Sequence, residues 1–278
     1  MILPNNFDFT QSNLQDFLDC PYRFYLRYIL RTKWPALLVD SAIDFELRAQ
    51  AGARFHRMVQ QYLLGVPEAL IQDLAEADPV PEIAVWWDNF CSFIPAVLSG
   101  RQLVETVLST ELAECRLVAK YDLILIQDQN RVVIFDWKTS KKKIRKDWLI
   151  KKIQTRLYRF ILTQAGSILK TPKIEPAQVT MNYWFATHPE ALISLPYDQI
   201  AYESDIQFFT GLIQEIRNKD EGDFIKTKDT RKCRYCVYRS HCDRGTQAGD
   251  LEAFDDIDME PVLNELDIEF DNIAEIEF

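Results

Sequence analysis

Apolar positions along this chain fall first at helical spacing and then at strand spacing. Leu14, Phe17, Leu18, Phe24, Tyr25 and Tyr28 form one stripe. Ser12-x-x-Gln15 ahead of it has the form of a capping box, and together they predict a helix of roughly 18 residues. Asp44 to Leu64 reads as a second helix and contains Gly52-Ala53-Arg54-Phe55-His56. Residues 66–100 read as a helical insertion that carries Trp86-Trp87, bounded by Pro67, Pro79-Val80-Pro81 and Gly100. The period then drops to two. Leu103 to Leu112 alternates with β-branched residues, and Cys115 to Ile126 ends in Leu123-Ile124-Leu125-Ile126. Gln127-Asp128-Gln129-Asn130 predicts a polar turn, and Arg131 to Trp137 the returning strand. Asp147 to Ala165 predicts a helix, Gln178 to Thr187 a strand and Ala201 to Lys219 a last helix. This order predicts an α/β fold, a small mixed sheet with flanking helices. No internal repeat is visible.

At 278 residues and 47% hydrophobic, the chain has material for one large domain or two small ones. Its net charge of −10 is unevenly spread. Residues 250–278 carry 12 acids and no Lys or Arg, which leaves 30 acids against 32 bases in the first 249. The chain therefore divides into a near-neutral body, 1–249, and an acidic tail, 250–278. The tail alternates its acids with Phe254, Val262, Leu263, Leu266, Ile268, Phe270, Ile273, Ile276 and Phe278. That pattern is typical of segments that fold on a partner or on their own domain. The basic run Lys141 to Lys146 is its electrostatic target within the chain, so the tail is expected to compete with a polyanion there or to dock a basic partner; the plainer alternative is a disordered, solvated end.

Gly is scarce, and none of the eight is followed by Lys, so no Gly-x4-Gly-Lys-Ser/Thr loop exists to cradle ATP. No apolar run approaches the about 18 residues of a membrane span, and the N-terminus lacks the pattern of a signal peptide. Six cysteines without an export signal point to the cytoplasm, where thiols stay reduced.

The chemistry concentrates in two sets. Asp122 lies within one predicted strand and Asp136 near the end of the next, in Ile134-Phe135-Asp136-Trp137-Lys138-Thr139-Ser140. If the turn between them makes a hairpin, both carboxylates reach one sheet edge and suit Mg2+ or Mn2+. Lys138 shares the face of Asp136 and can orient a water or offset phosphate charge. The plainer reading is a strand that ends in a solvated Asp and Lys. The second set is Cys20, in Cys20-Pro21-Tyr22-Arg23-Phe24, with Cys233-x2-Cys236-x5-Cys242. Such spacing suits zinc or iron–sulfur, with His241 as a substitute ligand in the zinc case, and would staple the two ends of the fold. Cys91 and Cys115 fall in apolar patterns and read as core. Lys141-Lys142-Lys143-Ile144-Arg145-Lys146 follows the catalytic strand and is a candidate phosphate contact. Trp148 beside it could stack a base or join the core.

In their order these motifs resemble the PD-(D/E)XK nuclease superfamily, in its RecB-like branch. That branch includes AddB-type nuclease domains and CRISPR-associated exonucleases with an iron–sulfur cluster. The segments involved are Cys20–Phe24, Gly52-x3-His56, Asp122, Asp136–Ser140, Gln154-x3-Tyr158 and the C-terminal cysteines, over roughly residues 9–245. Ala119 stands where the family often has Gly. The resemblance implies a restriction-endonuclease-like core, metal held by His56, Asp122 and Asp136, and a [4Fe-4S] cluster on Cys20, Cys233, Cys236 and Cys242. It also implies that Gln154 and Tyr158, at i and i+4, steady the DNA backbone. The expectation is a metal-dependent DNA exonuclease acting on single-stranded ends. The alternatives are a non-cleaving DNA- or partner-binding module, and a subunit of a helicase–nuclease or CRISPR-type assembly whose motor would be another chain.

Overall fold

The computed structural model describes residues 2–4, 6–33, 40–141, 145–165, 169, 173–233 and 236–245, without side chains at 40–46 and 129. The expectations for the tail, 250–278, lie outside these residues.

The chain opens with a short strand β1 (Asp8–Phe9) and helix α1 (Gln11–Asp19). The cap falls two residues earlier than Ser12-x-x-Gln15 suggests. The Thr10 side chain accepts from the Asn13 amide, and Asn13 Oδ1 accepts the Thr10 amide in return. The helix is also shorter than its apolar stripe. Pro21 disfavours helical backbone at the residue before it, and Cys20 is extended at φ −161° and ψ 104°. Helix resumes as α2 (Pro21–Phe24) and runs into a π-helical turn, Tyr25–Ile29. Cys20 is thus freed from a helix face and set on a corner.

Helix α3 (Asp40–Leu63) follows, then α4 (Glu68–Glu76) and α5 (Glu82–Phe93), which form the expected helical insertion. Strands β2 (Arg101–Leu112), β3 (Cys115–Ile126) and β4 (Val132–Lys138) make an antiparallel meander. The helix expected over 147–165 is two, α6 (Lys146–Leu149) and α7 (Ile153–Gln164). Strand β5 (Val179–Phe185) lies parallel to β4, and β6 (His188–Pro196) turns back antiparallel to β5 before α8 (Gln199–Arg217). Strands β1 and β6 were not legible in the pattern. Together the strands form a mixed six-stranded sheet in the order β1-β3-β4-β5-β6, with β2 on β3.

Helices cover both faces of the sheet. On one, α1, α7 and α8 pack Leu14, Leu157, Ile161 and Phe209 against Tyr121, Ile134, Met181 and Tyr183. On the other, α3, α4 and α5 pack Phe55, Ile71, Trp87 and Phe90 against Leu123, Leu125, Trp137 and Trp184. Cys91 and Cys115 are partly buried against these cores, as expected. Burial pushes the Cys91 thiol up to about 12, with the nearby Glu68 and Asp88 carboxylates adding to it.

The two cores expose a change of phase in β3. Leu117, Ala119 and Tyr121 face the first core, whereas Leu123 and Leu125 face the second. Strict alternation would put all five on one side. The phase shifts at Asp122, and its position opposite on β2 is Glu105, between the pairs Val104–Leu123 and Thr106–Tyr121. Glu105 adopts a left-handed φ of 48°, uncommon for a non-glycine residue.

Arg54 of α3 binds Asp78 in the α4–α5 link, Nε to Oδ2 at 2.7 Å. Burial raises the Asp78 pKa, but the Arg54 hydrogen bond and the Val80 amide outweigh it and hold the carboxyl below the usual range. The folded value lies below the unfolded one, so the pair's contribution is complete above the unfolded value and is lost as pH falls through the folded one. The difference in melting temperature between wild type and Asp78→Asn is therefore expected to be largest at neutral pH and to shrink by pH 3. A difference that grows on acidification would refute this.

Candidate active site

The site lies at a fork. Strands β3 and β4 pair from Ile126–Val132 to Leu123–Phe135 and then part. Past that point β4 continues only against β5, pairing Asp136 with Tyr183 and Lys138 with Phe185. Asp122, the next residue on the β3 side, takes up the freed backbone donor: the Trp137 amide donates to Asp122 Oδ2 at 3.0 Å. Asp122 and Asp136 therefore face each other across the opening.

A helix reaches the fork from each face of the sheet. From α3, His56 places Nδ1 3.5 Å from Asp122 Oδ2. Gly52, one turn earlier, explains how α3 comes so close: a Cβ there would meet Thr139 Oγ1, just past Lys138, at 3.1 Å. From α7, Gln154 Nε2 donates to Asp136 Oδ1 at 2.6 Å, and its Oε1 accepts from Lys138 Nζ at 3.2 Å. Lys138 Nζ also lies 2.8 Å from Asp136 Oδ2. The Tyr183 hydroxyl donates to Gln154 Oε1 at 3.3 Å and lies 2.7 Å from Thr155 Oγ1, so the amide is fixed on both sides.

The electrostatics pair two anions with two cations. Burial disfavours a charged His56, but the Asp122 carboxylate, with Asp136 behind it, overrides this and lifts the imidazole to about 9. Burial likewise opposes charge on Asp122, yet His56 and the Trp137 amide hold its carboxyl below the ordinary range. Asp136 is the deeper of the two, with its side chain 4% exposed against 19% for Asp122.

Glu105 is a further acid at this fork, and sequence reasoning missed it. Burial and the Asp122 charge raise its pKa, while Lys120, at 2.9 Å, opposes them. Tyr183 and Thr155 were also missed. The register of β2 on β3 brings Glu105 here and that of β5 on β4 brings Tyr183, while Thr155 comes with α7 beside Gln154.

Gly52→Ala provides a test of the close approach. Helix propensity gains up to about 1 kcal/mol from the change, so stability is expected to hold while displacement of Thr139 lowers turnover several-fold. Adding Thr139→Ala should restore it. A G52A enzyme with wild-type kcat, measured beside its melting curve, would remove Gly52 from the argument.

Among the described residues, no three His, Cys, Asp or Glu side chains are gathered as a ready metal-holding group. The donor set at the fork nevertheless fits Mg2+ or Mn2+: two carboxylates and an imidazole, with water positions open beside the partly exposed His56 and Asp122. Each carboxylate has a basic neighbour, His56 Nδ1 at 3.5 Å from Asp122 and Lys138 Nζ at 2.8 Å from Asp136.

The residues predicted to contact DNA divide: Gln154 is at the fork, and the others among the described residues lie away from it. Tyr158 is buried, its ring centroid 4.8 Å from that of Tyr121, and its carbonyl accepts from the Tyr121 hydroxyl at 2.8 Å. Gln154 is buried too and acts on Asp136 and Lys138. Lys141 is exposed, and its carbonyl lies 2.9 Å from His188 Nε2. Lys142 and Lys143 lie outside the described residues.

Among the described residues, the four cysteines come to one cavity, though not gathered as a ready metal-holding group. Cys20, Cys233, Cys236 and Cys242 line one cavity with Arg23, Lys226 and Arg244. Cys20 Sγ accepts from the Thr227 amide at 3.4 Å, and Cys233 Sγ from Arg244 Nη1 at 3.2 Å. Burial pushes the Cys236 thiol up to about 11, with Arg23 opposing. Four thiols on one cavity fit zinc or iron–sulfur by donor chemistry. Phe224 packs on Phe24, Tyr25 and Phe17, so an aromatic clasp also joins the two ends.

A family model for the PD-(D/E)XK nuclease superfamily matches residues 8–243. The chain belongs to this superfamily. Its mixed sheet with helices on both faces is the restriction-endonuclease-like α/β core, and membership places the chain among the nucleases. A crystal structure from Eubacterium rectale, of a protein provisionally named as an exonuclease, is similar over 81% of this chain and 85% of its own. The identity is 9% and the TM-score 0.53, a likeness of fold. The protein SSO0001 aligns over 84% of this chain and 85% of its own at 12% identity, with a TM-score of 0.35 that supports no argument. No curated protein matches the sequence.

Proposed function

We propose that this PD-(D/E)XK nuclease is a metal-dependent deoxyribonuclease, an exonuclease acting on single-stranded ends. The observation that carries the reading is the fork: Lys138 Nζ lies 2.8 Å from Asp136 Oδ2, with Asp122 and His56 across the opening. His56, Asp122 and Asp136 would hold Mg2+ or Mn2+. Bound there, the ion would supply Lewis acidity, polarising a phosphodiester and lowering the pKa of a water. Lys138 orients the attacking water and offsets charge that develops on the phosphate. Gln154 keeps Lys138 and Asp136 in register by bonding to both, and Tyr183 holds Gln154. Lys141, Lys142 and Lys143 contact DNA phosphates, and Gln154 supports the strand through Asp136 and Lys138, which it holds, while Tyr158 packs behind it on Tyr121.

Cys20, Cys233, Cys236 and Cys242 hold a [4Fe-4S] cluster in a structural role, with Zn2+ as the competing occupant. The setting is cytoplasmic, in repair, recombination or CRISPR-type processing. A partner helicase or CRISPR-type protein supplies any motor, since the chain has no ATP-cradling loop. Among the described residues no helix is long and apolar enough to cross a membrane.

The test is cleavage of end-labelled single-stranded DNA with Mn2+, each end blocked in turn. Loss of mononucleotides from one free end supports the reading. Cleavage indifferent to both blocks makes the enzyme an endonuclease. Tight binding without cleavage makes it a non-cleaving subunit.

A further inference from the structure

Among the described residues, Trp148 is the single Phe, Tyr or Trp that is exposed, at 41%. Lone apolar residues at the surface are ordinary, so its surroundings have to decide its meaning. It sits on α6, between the catalytic strand β4 and helix α7. Lys152 Nζ stands 4.2 Å from the ring centroid, and Lys152 is itself buried at 7% exposure, so the cation and the ring brace each other. Lys146, Ile150 and Lys151 are exposed beside it, while Arg145 and Asp147 neutralise each other at 2.8 Å. The patch is therefore a ring with a net basic rim. Two residues beyond Lys152, Gln154 donates to Asp136.

We propose that Trp148, braced by Lys152, is a stacking platform for one nucleobase of a single-stranded substrate and sets the register in which the strand enters the fork. This deepens the nuclease reading and rests on it. A base inside a duplex has both faces covered by its neighbours, whereas an unpaired base offers a free face to an aromatic ring without regard to sequence. The basic rim attracts the phosphates on either side. The platform thus favours single strands by chemistry separate from the metal-holding residues.

The experiment measures binding of the full chain to a fluorescent oligothymidylate and to a duplex of equal length, with Ca2+ in place of Mn2+. Trp148→Ala is expected to weaken single-strand binding about tenfold and duplex binding far less, while Trp148→Phe recovers most of the loss. An abasic residue walked along the oligonucleotide should weaken wild type at one position and leave Trp148→Ala unaffected there. Equal affinities for wild type and Trp148→Ala, with matching circular dichroism, would overturn the platform, as would equal losses on duplex and single strand. If wild type binds neither nucleic acid, the nuclease reading itself falls, a result distinct from either.

Discussion

Asp136→Asn and Lys138→Gln should each reduce cleavage by at least about 10²-fold while the protein stays folded. Both changes keep side-chain size and polarity at a pair that is nearly closed to solvent, so neither leaves an empty site. Truncation to Ala would be a poorer choice, because it removes the hydrogen-bonding group along with the charge, whereas Asn and Gln still offer the buried partner a polar contact. The two effects should not add, since the ammonium and carboxylate act as a unit through the 2.8 Å contact and the shared Gln154 amide. Single-turnover rates for both variants and their double mutant, beside melting curves, provide the check. A folded Asp136→Asn enzyme that cuts at the wild-type rate would end the assignment of this fork as the active site.

The other large effect concerns the cysteines. Protein purified without oxygen is expected to be brown, with the broad visible absorbance of thiolate-bound iron. Cys20→Ser should lose colour and melt roughly 10–20 °C lower. The loop from Cys20 to Cys233 spans about 213 residues, and a cross-link closing such a loop contributes about 5 kcal/mol by the chain-entropy relation. In a domain of this size each kcal/mol moves the midpoint by about 2–4 °C. The aromatic clasp of Phe224 on Phe24 and Tyr25 remains in the variant, so this figure is an upper value. One stoichiometric zinc in a colourless protein would replace the cluster by the rival metal. Unchanged stability in Cys20→Ser would remove the staple.

Much of the site's membership was written in local sequence. Asp136 and Lys138 are two apart on a strand, so any strand there puts them on one face. Gln154 and Tyr158 are four apart on a helix, and they do share a face. Their shared face, however, turns inward: Gln154 meets Asp136 and Lys138, and Tyr158 meets Tyr121. Helical spacing fixes which residues are neighbours and is silent on what lies opposite. The break at Cys20 was available from Pro21 alone, yet the apolar stripe carried the helix through it, because periodicity carries no record of backbone sterics.

What the sequence determined by itself was the inventory and its order: two carboxylates and a lysine on strands, cysteines at either end, and a glycine one turn before a histidine. Those signals are local, set by side-chain period and turn chemistry. The tertiary structure alone decided the fork. Strands β3 and β4 part after Leu123–Phe135, β3 changes phase at Asp122 beneath a left-handed Glu105, and α3 closes on Thr139 where Gly52 lacks a side chain. Each of these depends on the register between segments far apart in the chain. Register is chosen by burying both faces of the sheet at once, a condition on the whole molecule that no local window of sequence contains.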